Sequence, residues 1–258
     1  MNPLEIKELL ILICTELPKC RDLINMAAIS IYYNKKIRTN TWSHLNIRIK
    51  SNKDLISMKK NYNFDKIDLY NTDVTDESIF LLTKLHTLNL SWTKVTDGSV
   101  FLLINLHTLD LCGTLVTDAS ISLLTNLHTL DLSFTKVTDA SVSLLTNLHT
   151  LNLTGTPVTD ASVSLLTNLH RLDLNGTKVT DVSVSLLTKL HTLILGDTKV
   201  TDVSVFLLTN LYSLDLYNTK VTDASVSLLT NLHILGLGRT KVTDRIFSLL
   251  RAKKIILY

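Results

Sequence analysis

The sequence has few of the residues that build catalytic or metal sites, and each shortage excludes a class of protein. Only seven of its 258 residues are glycine, and no Gly-rich phosphate-binding loop or nucleophile elbow occurs. Three cysteines, Cys14, Cys20 and Cys112, lack zinc-ligand spacing, and an odd number of thiols favours a reducing compartment over a secreted disulfide scaffold. We therefore expect an intracellular protein that is not an enzyme and uses no metal or cofactor.

Long apolar runs and blocks of like charge are also lacking. The run Leu9–Cys14 is too short to cross a bilayer, and Glu5 and Glu8 before it are wrong for a signal peptide. Residues 1–63 carry eleven Lys or Arg against five Asp or Glu, but these are scattered and no groove-reading motif accompanies them. The sequence therefore predicts binding neither to a membrane nor to nucleic acid.

What is present is a 21-residue unit, repeated nine times without insertion or deletion. The units begin at Phe64, Leu85, Leu106, Leu127, Leu148, Leu169, Leu190, Leu211 and Leu232. The typical unit reads LHTLDLSFTKVTDASVSLLTN, and its opening Leu-x-x-Leu-x-Leu resembles the leucine-rich-repeat (LRR) consensus. The resemblance implies an α/β solenoid with a parallel β-sheet on its concave face and short helices on its convex face.

The first half of each unit predicts a short strand and a corner. In the unit from residue 127, Leu130 and Leu132 should point inward while Asp131 points outward. The consensus usually has Asn at the ninth position, where this chain has Thr72, Thr93, Thr114, Thr135, Thr156, Thr177, Thr198, Thr219 and Thr240. We interpret these threonines as a structural ladder whose hydroxyls bond loop backbone across neighbouring coils.

The second half of each unit predicts a short helix. Val142, Leu144 and Leu145 should form its apolar side, Asp139 should cap its start, and Asn147 suits the left-handed residue that ends it. One such unit buries too little apolar surface to fold alone, so stacking against its neighbours must stabilise it.

The repeat also sets the expected domain boundaries. Residues 42–258 should form the solenoid, with an irregular first coil over 42–63, regular units over 64–252 and a terminal strand over 253–258. Residues 1–41 lack the repeat and show helical apolar spacing instead, which predicts a small helical unit. We expect the chain to be a monomer by itself.

The helical unit has two interpretations. The simpler one is a cap that covers the first coil, as a solenoid requires. The other is a resemblance to an F-box, because Glu8–Ile13 with Leu17-Pro18 is similar to its first helix and Asp22–Ile24 with Ala27–Ser30 is similar to its second. An F-box directly before leucine-rich repeats is the arrangement of F-box/LRR proteins.

That resemblance implies a mechanism. The N-terminal helices would dock on the Skp-type adaptor of a cullin-RING (SCF-type) ubiquitin ligase, and the repeats would capture the substrate in a eukaryotic cytoplasm or nucleus. The adaptor-docking candidates are Leu9, Ile13, Leu17, Pro18, Leu23 and Ile29. Under the capping interpretation the chain is instead a protein-interaction module, such as an effector or inhibitor.

A protein target should bind on the concave face. The seventh and eighth positions vary most between units and hold large aromatics, while the fifth position holds a column of aspartates. Interface anchors are typically aromatic, and an acidic column favours a basic or mixed-charge target. The candidate target-binding residues are Tyr70, Trp92, Asp110, Asp131, Phe134, Arg171, Tyr217 and Arg239.

The second position carries a histidine column, formed by His86, His107, His128, His149, His170, His191 and His233. Stacked coils would bring these side chains about 5 Å apart, which is compatible with a metal ladder or a pH sensor. Repeat duplication alone also explains the column, and no carboxylate or thiol completes a metal-binding spacing. We therefore predict no metal site there.

Overall fold

The computed structural model describes residues 47–48, 51–61, 65–250 and 254–256, which form one stack of coils. Its strands are β1 (Ile47–Arg48), β2 (Lys66–Asp68), β3 (Thr87–Asn89), β4 (Thr108–Asp110), β5 (Thr129–Asp131), β6 (Thr150–Asn152), β7 (Arg171–Asp173), β8 (Thr192–Ile194), β9 (Ser213–Asp215), β10 (Ile234–Gly236) and β11 (Lys254–Ile256). Its helices are α1 (Asn52–Asn61), α2 (Asp76–Ile79), α3 (Asp97–Val100), α4 (Asp118–Ile121), α5 (Asp139–Val142), α6 (Asp160–Val163), α7 (Asp181–Val184), α8 (Asp202–Val205), α9 (Asp223–Val226) and α10 (Arg245–Leu249), and a 3-10 turn covers Phe80–Leu82.

The strands form a single parallel sheet in chain order, β1 through β11. From β2 to β10 each residue pairs with the residue 21 positions further along, so that Thr108 pairs with Thr129 and Leu109 with Leu130. Every outward side chain therefore has its counterpart directly beside it in the next coil. The predicted leucine-rich-repeat solenoid is confirmed.

The core is a column of aliphatic side chains between the sheet and the helices. In the coil from residue 127 the core side chains are at most 2% exposed, and they are Leu127, Leu130, Leu132, Val137, Val142 and Leu145. Burying six such side chains stabilises a coil by roughly 9–18 kcal/mol, which is why the positions hardly vary. Asp131 points outward as predicted.

One apolar residue of the unit was placed wrongly by the sequence. Leu144 was predicted to lie on the inner side of the helix, but 51% of it is exposed. Hydrogen bonds of the 3-10 type from Leu144 N to Ser141 O and from Leu145 N to Val142 O tighten the chain after α5. Only one of the two adjacent leucines can then face the core, and that residue is Leu145.

The helix ends also differ from the prediction. The residue that caps α5 is Thr138, whose hydroxyl accepts a hydrogen bond from Ala140 N at 3.2 Å, whereas Asp139 is the first helical residue. Asn147 is not among the described residues with positive φ, so the left-handed role was wrong. Its side-chain amide donates instead to Thr125 O of the preceding coil at 3.0 Å.

The aspartate that begins each of the helices α2 to α8 joins its coil to the next one. Asp118 accepts hydrogen bonds from Thr138 N at 2.8 Å, from the Thr138 hydroxyl at 2.6 Å and from the Ser141 hydroxyl at 2.6 Å. The same three donors reach Asp76, Asp97, Asp139, Asp160, Asp181 and Asp202 from the following coil. We call this series the aspartate ladder.

The ladder starts in the irregular first coil. Asn52 in α1 accepts from Thr75 N at 2.9 Å and from the Ser78 hydroxyl at 2.7 Å, and its amide donates to the Thr75 hydroxyl at 2.8 Å. An amide thus takes the place that a carboxylate holds in later coils.

The ninth-position threonines form a second repeated contact, which stays within one coil. The buried Thr135 hydroxyl donates to Leu132 O at 2.6 Å, and the equivalent bond recurs in each of the nine units. The predicted structural role is confirmed, but the bond closes the corner after the strand and does not cross to a neighbouring coil.

Removing one rung of the aspartate ladder should destabilise the protein. In Asp139→Asn an amide NH₂ group replaces one of the two acceptor oxygens, and the negative charge is lost. Hydrogen bonds to charged groups contribute about 1.5–3 kcal/mol to stability. We expect the free energy of unfolding, measured by urea denaturation at pH 7, to fall by about 2 kcal/mol or more. Asp197→Asn is the matched control, because Asp197 lies outside the ladder and Asn71 and Asn218 occupy the equivalent position. Equal losses in the two variants would contradict this role.

The ladder should also make the protein sensitive to acid. Burial favours the neutral carboxyl and raises its pKa, but the hydroxyl and backbone donors outweigh that effect and hold the pKa of Asp139 and the other ladder aspartates below the usual value. A carboxyl with a lowered pKa in the folded state stabilises the fold above its unfolded pKa of about 3.9, and this contribution is lost as the pH falls through the folded value. The free energy of unfolding, measured with urea, should decrease as the pH falls below about 4. The decrease should be less steep for Asp139→Asn than for the wild-type chain.

Candidate functional site

The corner after each strand has one unusual backbone conformation. The eighth residue of all nine units has a positive φ, from 50° to 68°. These residues are Asn71, Trp92, Gly113, Phe134, Gly155, Gly176, Asp197, Asn218 and Arg239. The conformation lets the backbone N–H reach the next coil, as when Trp92 N donates to Cys112 O at 2.8 Å. The fold therefore requires a left-handed backbone conformation at this position, irrespective of the side chain that the unit carries there.

Two of these positions hold large aromatics in spite of that demand. Glycine, asparagine and aspartate tolerate the left-handed region, whereas a bulky side chain there costs roughly 1–2 kcal/mol. Trp92 has φ 57° and Phe134 has φ 56°. Glycine would fit either position without this strain, which makes Trp92 and Phe134 candidates for a functional surface.

The two rings form one exposed surface. Trp92 lies over Gly113, where an added Cβ would come within 2.8 Å of the indole, and Phe134 lies over Gly155 in the same way at 3.0 Å. The ring centroids are 6.4 Å apart and the planes are tilted by 35°. Trp92 is 52% exposed and Phe134 is 59% exposed. We call Trp92 and Phe134, with the two glycines beneath them, the aromatic platform.

A second pair of candidates meets near the C-terminal end of the sheet. The Arg239 guanidinium lies 5.4 Å from the centre of the Tyr217 ring, which is a cation–π contact between neighbouring coils. Arg239 is exposed and Tyr217 is partly buried. Tyr70, in the first regular coil, is exposed at the opposite end of the array.

The fifth positions form an acidic column down the concave face, made up of Asp68, Asp110, Asp131, Asp173 and Asp215, with Asn89 and Asn152 interspersed. One oxygen of Asp131 accepts from Ser133 N at 2.8 Å, and the other accepts from the Asn152 amide at 2.9 Å. Burial raises the pKa of Asp110 and of Asp173 despite a backbone N–H bond to each. Asp110 and Asp173 are thus poorly solvated.

A groove of about 380 Å³ runs over β4 to β8, and this column forms part of its lining. Asp110, Asp131 and Arg171 line it, together with threonines of the third position. Among the described residues the only salt bridge joins Lys94 to Asp73 at 3.5 Å, away from the groove. The carboxylates of the column therefore have no lysine or arginine of the described chain within ion-pair distance.

The histidine column lies at the other end of the strands. Six rings, from His86 to His191, follow one another at centroid distances of 5.4–5.6 Å, and Tyr212 stacks on His233 at 4.3 Å. Within the described part of the chain, no three His, Cys, Asp or Glu residues are placed to hold a metal ion. Burial raises the pKa of the Cys112 thiol, which makes it a poor nucleophile at neutral pH.

The structure thus brings seven of the eight predicted target-binding residues together in three groups: the aromatic platform, the Tyr217–Arg239 pair and the groove residues. The eighth, Tyr70, lies at the opposite end of the array from the Tyr217–Arg239 pair. The adaptor-docking candidates lie outside the described residues. Sequence reasoning missed Gly113 and Gly155, although a glycine one unit after an aromatic at the same position is a readable signal. No helix in the described ranges has the length and apolar character needed to cross a bilayer.

The glycines beneath the platform should hold the rings in place. Alanine at 113 or at 176 must adopt a left-handed φ at a cost of about 1 kcal/mol, but only at 113 does its Cβ collide with the indole. At 176 the nearest atom is 4.0 Å away. We expect Gly113→Ala and Gly176→Ala to lose similar stability, while only Gly113→Ala shifts the tryptophan fluorescence of the folded protein. An unchanged emission in Gly113→Ala would contradict the geometry.

The comparisons with known proteins agree with the geometry. A family model described as "Leucine Rich repeat" matches residues 81–104, 123–145, 144–166 and 165–187, and no F-box family model matches. No curated protein sequence matches significantly.

Among solved structures, an internalin (InlF) from Listeria monocytogenes has a TM-score of 0.65 and 23% identity over 84% of this chain and 73% of its own. Internalin C2 from the same species has a TM-score of 0.60 and 28% identity over 70% and 84%. The plant peptide hormone receptor RGFR1, in complex with RGF2, has a TM-score of 0.59 and 17% identity over 85% and 43%. The chain is a leucine-rich-repeat solenoid, a scaffold for protein interaction.

Proposed function

We propose that the solenoid binds a protein segment rich in lysine or arginine along its concave face, with the aromatic platform as the anchor. The observation that carries the proposal is an acidic column without cationic partners beside two exposed aromatic rings held in strained conformations. The chain acts by binding and not by catalysis.

The electrostatics favour a cationic ligand. The groove places Asp110 and Asp131 on adjacent strands, and the raised pKa of Asp110 reflects a carboxylate that burial leaves poorly solvated. A lysine or arginine delivered by a partner would relieve this cost and form charge-assisted hydrogen bonds. Arg171 interrupts the row of third-position threonines and would repel a nearby cation. We therefore expect the basic residues of the ligand to lie over the coils that precede Arg171 in the chain, near the platform.

The platform favours the same class of ligand. Exposed tryptophan and phenylalanine rings attract guanidinium and ammonium groups and supply much of the binding energy in protein interfaces. The molecule contains one such contact already, because Arg239 lies over Tyr217 at the corresponding corner of the last coils. One solved neighbour of the same fold is a peptide hormone receptor in complex with RGF2.

Selection of peptides from a random display library tests this proposal. The wild-type chain should enrich peptides rich in Lys and Arg, and Trp92→Ala/Phe134→Ala should bind the selected peptides at least about tenfold more weakly, as expected for hot-spot residues. Asp110→Asn/Asp131→Asn should abolish the preference for basic residues. The matched control is Phe101→Ala/Phe206→Ala, which removes exposed phenylalanines of the helical side. Enrichment without basic residues, or equal loss in the control, would contradict the proposal.

We further propose that residues 1–41 recruit a Skp-type adaptor, which would make the chain an intracellular substrate receptor of a cullin-RING ubiquitin ligase. The support is the F-box-like order of residues over 8–42 and its place directly before the repeats. A receptor of this kind raises the concentration of the target near the ligase. The rival is a protein-interaction module whose N-terminal helices only cap the stack.

Co-purification with a Skp-type adaptor separates the two functions. The full chain should retain the adaptor, whereas a deletion of residues 1–41 and the double variant Leu17→Asp/Leu23→Asp should not. Leu115→Asp is the control, because Leu115 is an exposed leucine of the solenoid. Circular dichroism would verify that each variant is folded. A folded full chain that fails to bind the adaptor would exclude the ligase function and leave the concave-face proposal standing.

A further inference from the structure

The convex side carries an apolar surface that neither the core nor the concave site uses. The eighteenth residue of six consecutive units is a leucine that is 39–54% exposed. We call this set the leucine stripe: Leu123, Leu144, Leu165, Leu186, Leu207 and Leu228. These are the leucines that the sequence pattern had assigned to the core.

The stripe is continuous from coil to coil. Each leucine lies two residues after the end of its helix and four residues after the fourteenth position of the unit, as Leu144 does after α5 (Asp139–Val142). That earlier position holds alanine or an exposed valine, such as Val182 and Val203. With a coil spacing of about 4.8 Å the six leucines extend over about 24 Å.

The chain segments that contain the stripe leucines carry no charge. Positions fourteen to twenty contain no Asp, Glu, Lys or Arg in the seven units that cover 98–104, 119–125, 140–146, 161–167, 182–188, 203–209 and 224–230. Soluble monomers rarely expose apolar patches beyond about 300–600 Å², and larger patches mark interaction sites. A row of exposed leucines of this length within uncharged segments is therefore unusual for a surface that stays in water.

We propose that the leucine stripe is the contact surface between two copies of this chain, which associate back to back through their convex sides. A second copy is the occupant that matches the geometry. Its leucines recur at the same coil spacing, so the leucines of one stripe can lie between those of the other where the two convex sides meet. The uncharged segments can also meet in either direction without bringing their own like charges together.

The available area fits a reversible dimer. Two such stripes with their flanking valines and alanines would bury on the order of 1,000 Å² in total, near the lower limit for a specific interface. The pairing leaves both concave faces open, so a dimer presents two target sites and gains from avidity on a repeated target.

Analytical ultracentrifugation of the full chain over a range from about 1 to 100 µM tests the proposal, since a dimer of this size should form reversibly at micromolar concentration. We expect a concentration-dependent rise from one to two chain masses. Leu144→Lys/Leu165→Lys should shift the midpoint at least about tenfold upward. The matched control is Leu115→Lys, because Leu115 is 61% exposed but lies at the tenth position, where Lys136 and Lys178 occur in other units.

The variants change exposed side chains, and Leu144→Ser/Leu165→Ser provides a milder pair if the lysines disturb folding. Loss of the dimer in both stripe variants, with the control unaffected and circular dichroism unchanged, supports the proposal. A wild-type chain that stays monomeric throughout the range overturns it, and so does a dimer that persists in the folded stripe variants. Binding of a monomeric chain to lipid vesicles would likewise overturn it in favour of a membrane surface.

Discussion

The hydrogen bonds of the aspartate ladder are the constraint on which the rest of the structure depends. Leucine and valine side chains bury apolar surface well in many registers, because hydrophobic contact is not directional. A carboxylate that must accept from one threonine and one serine of the next coil is satisfied in a single register. The ladder therefore fixes the 21-residue offset that the strand pairing also shows.

Because of this fixed offset, residues at the same position of successive units lie side by side and form a surface across the coils. Asp110 and Asp131 adjoin in the acidic column, and Leu144 and Leu165 adjoin in the leucine stripe, because each pair occupies one position of the unit. Identical units would give uniform columns that could not tell one ligand from another. Specificity must then arise where units differ, and the clearest difference lies at the eighth position, where glycine, asparagine, tryptophan and phenylalanine share one backbone conformation.

If the aromatic platform binds the target as proposed, stability and recognition compete at that position. Glycine would satisfy the left-handed corner without strain, as it does at 113 and 155. Those same glycines leave room for the rings of Trp92 and Phe134, which would otherwise collide with a neighbouring Cβ. Each strained aromatic side chain thus depends on the glycine at the same position of the next coil, and the regular stack around the pair holds the rings in place.

The sequence by itself determined the architecture, since a strict 21-residue period leaves each coil no partner but its neighbours. It also identified Trp92, Phe134 and the acidic column, because outward positions that vary or carry charge can be read from the strand alternation. Only the tertiary structure decided which of Leu144 and Leu145 is buried, since that depends on how tightly the chain turns after α5. The tertiary structure also showed that the Asp139 carboxylate accepts hydrogen bonds from the following coil and does not cap its own helix. The sequence could not show this, because the bonded residues lie about twenty positions apart and leave no local pattern.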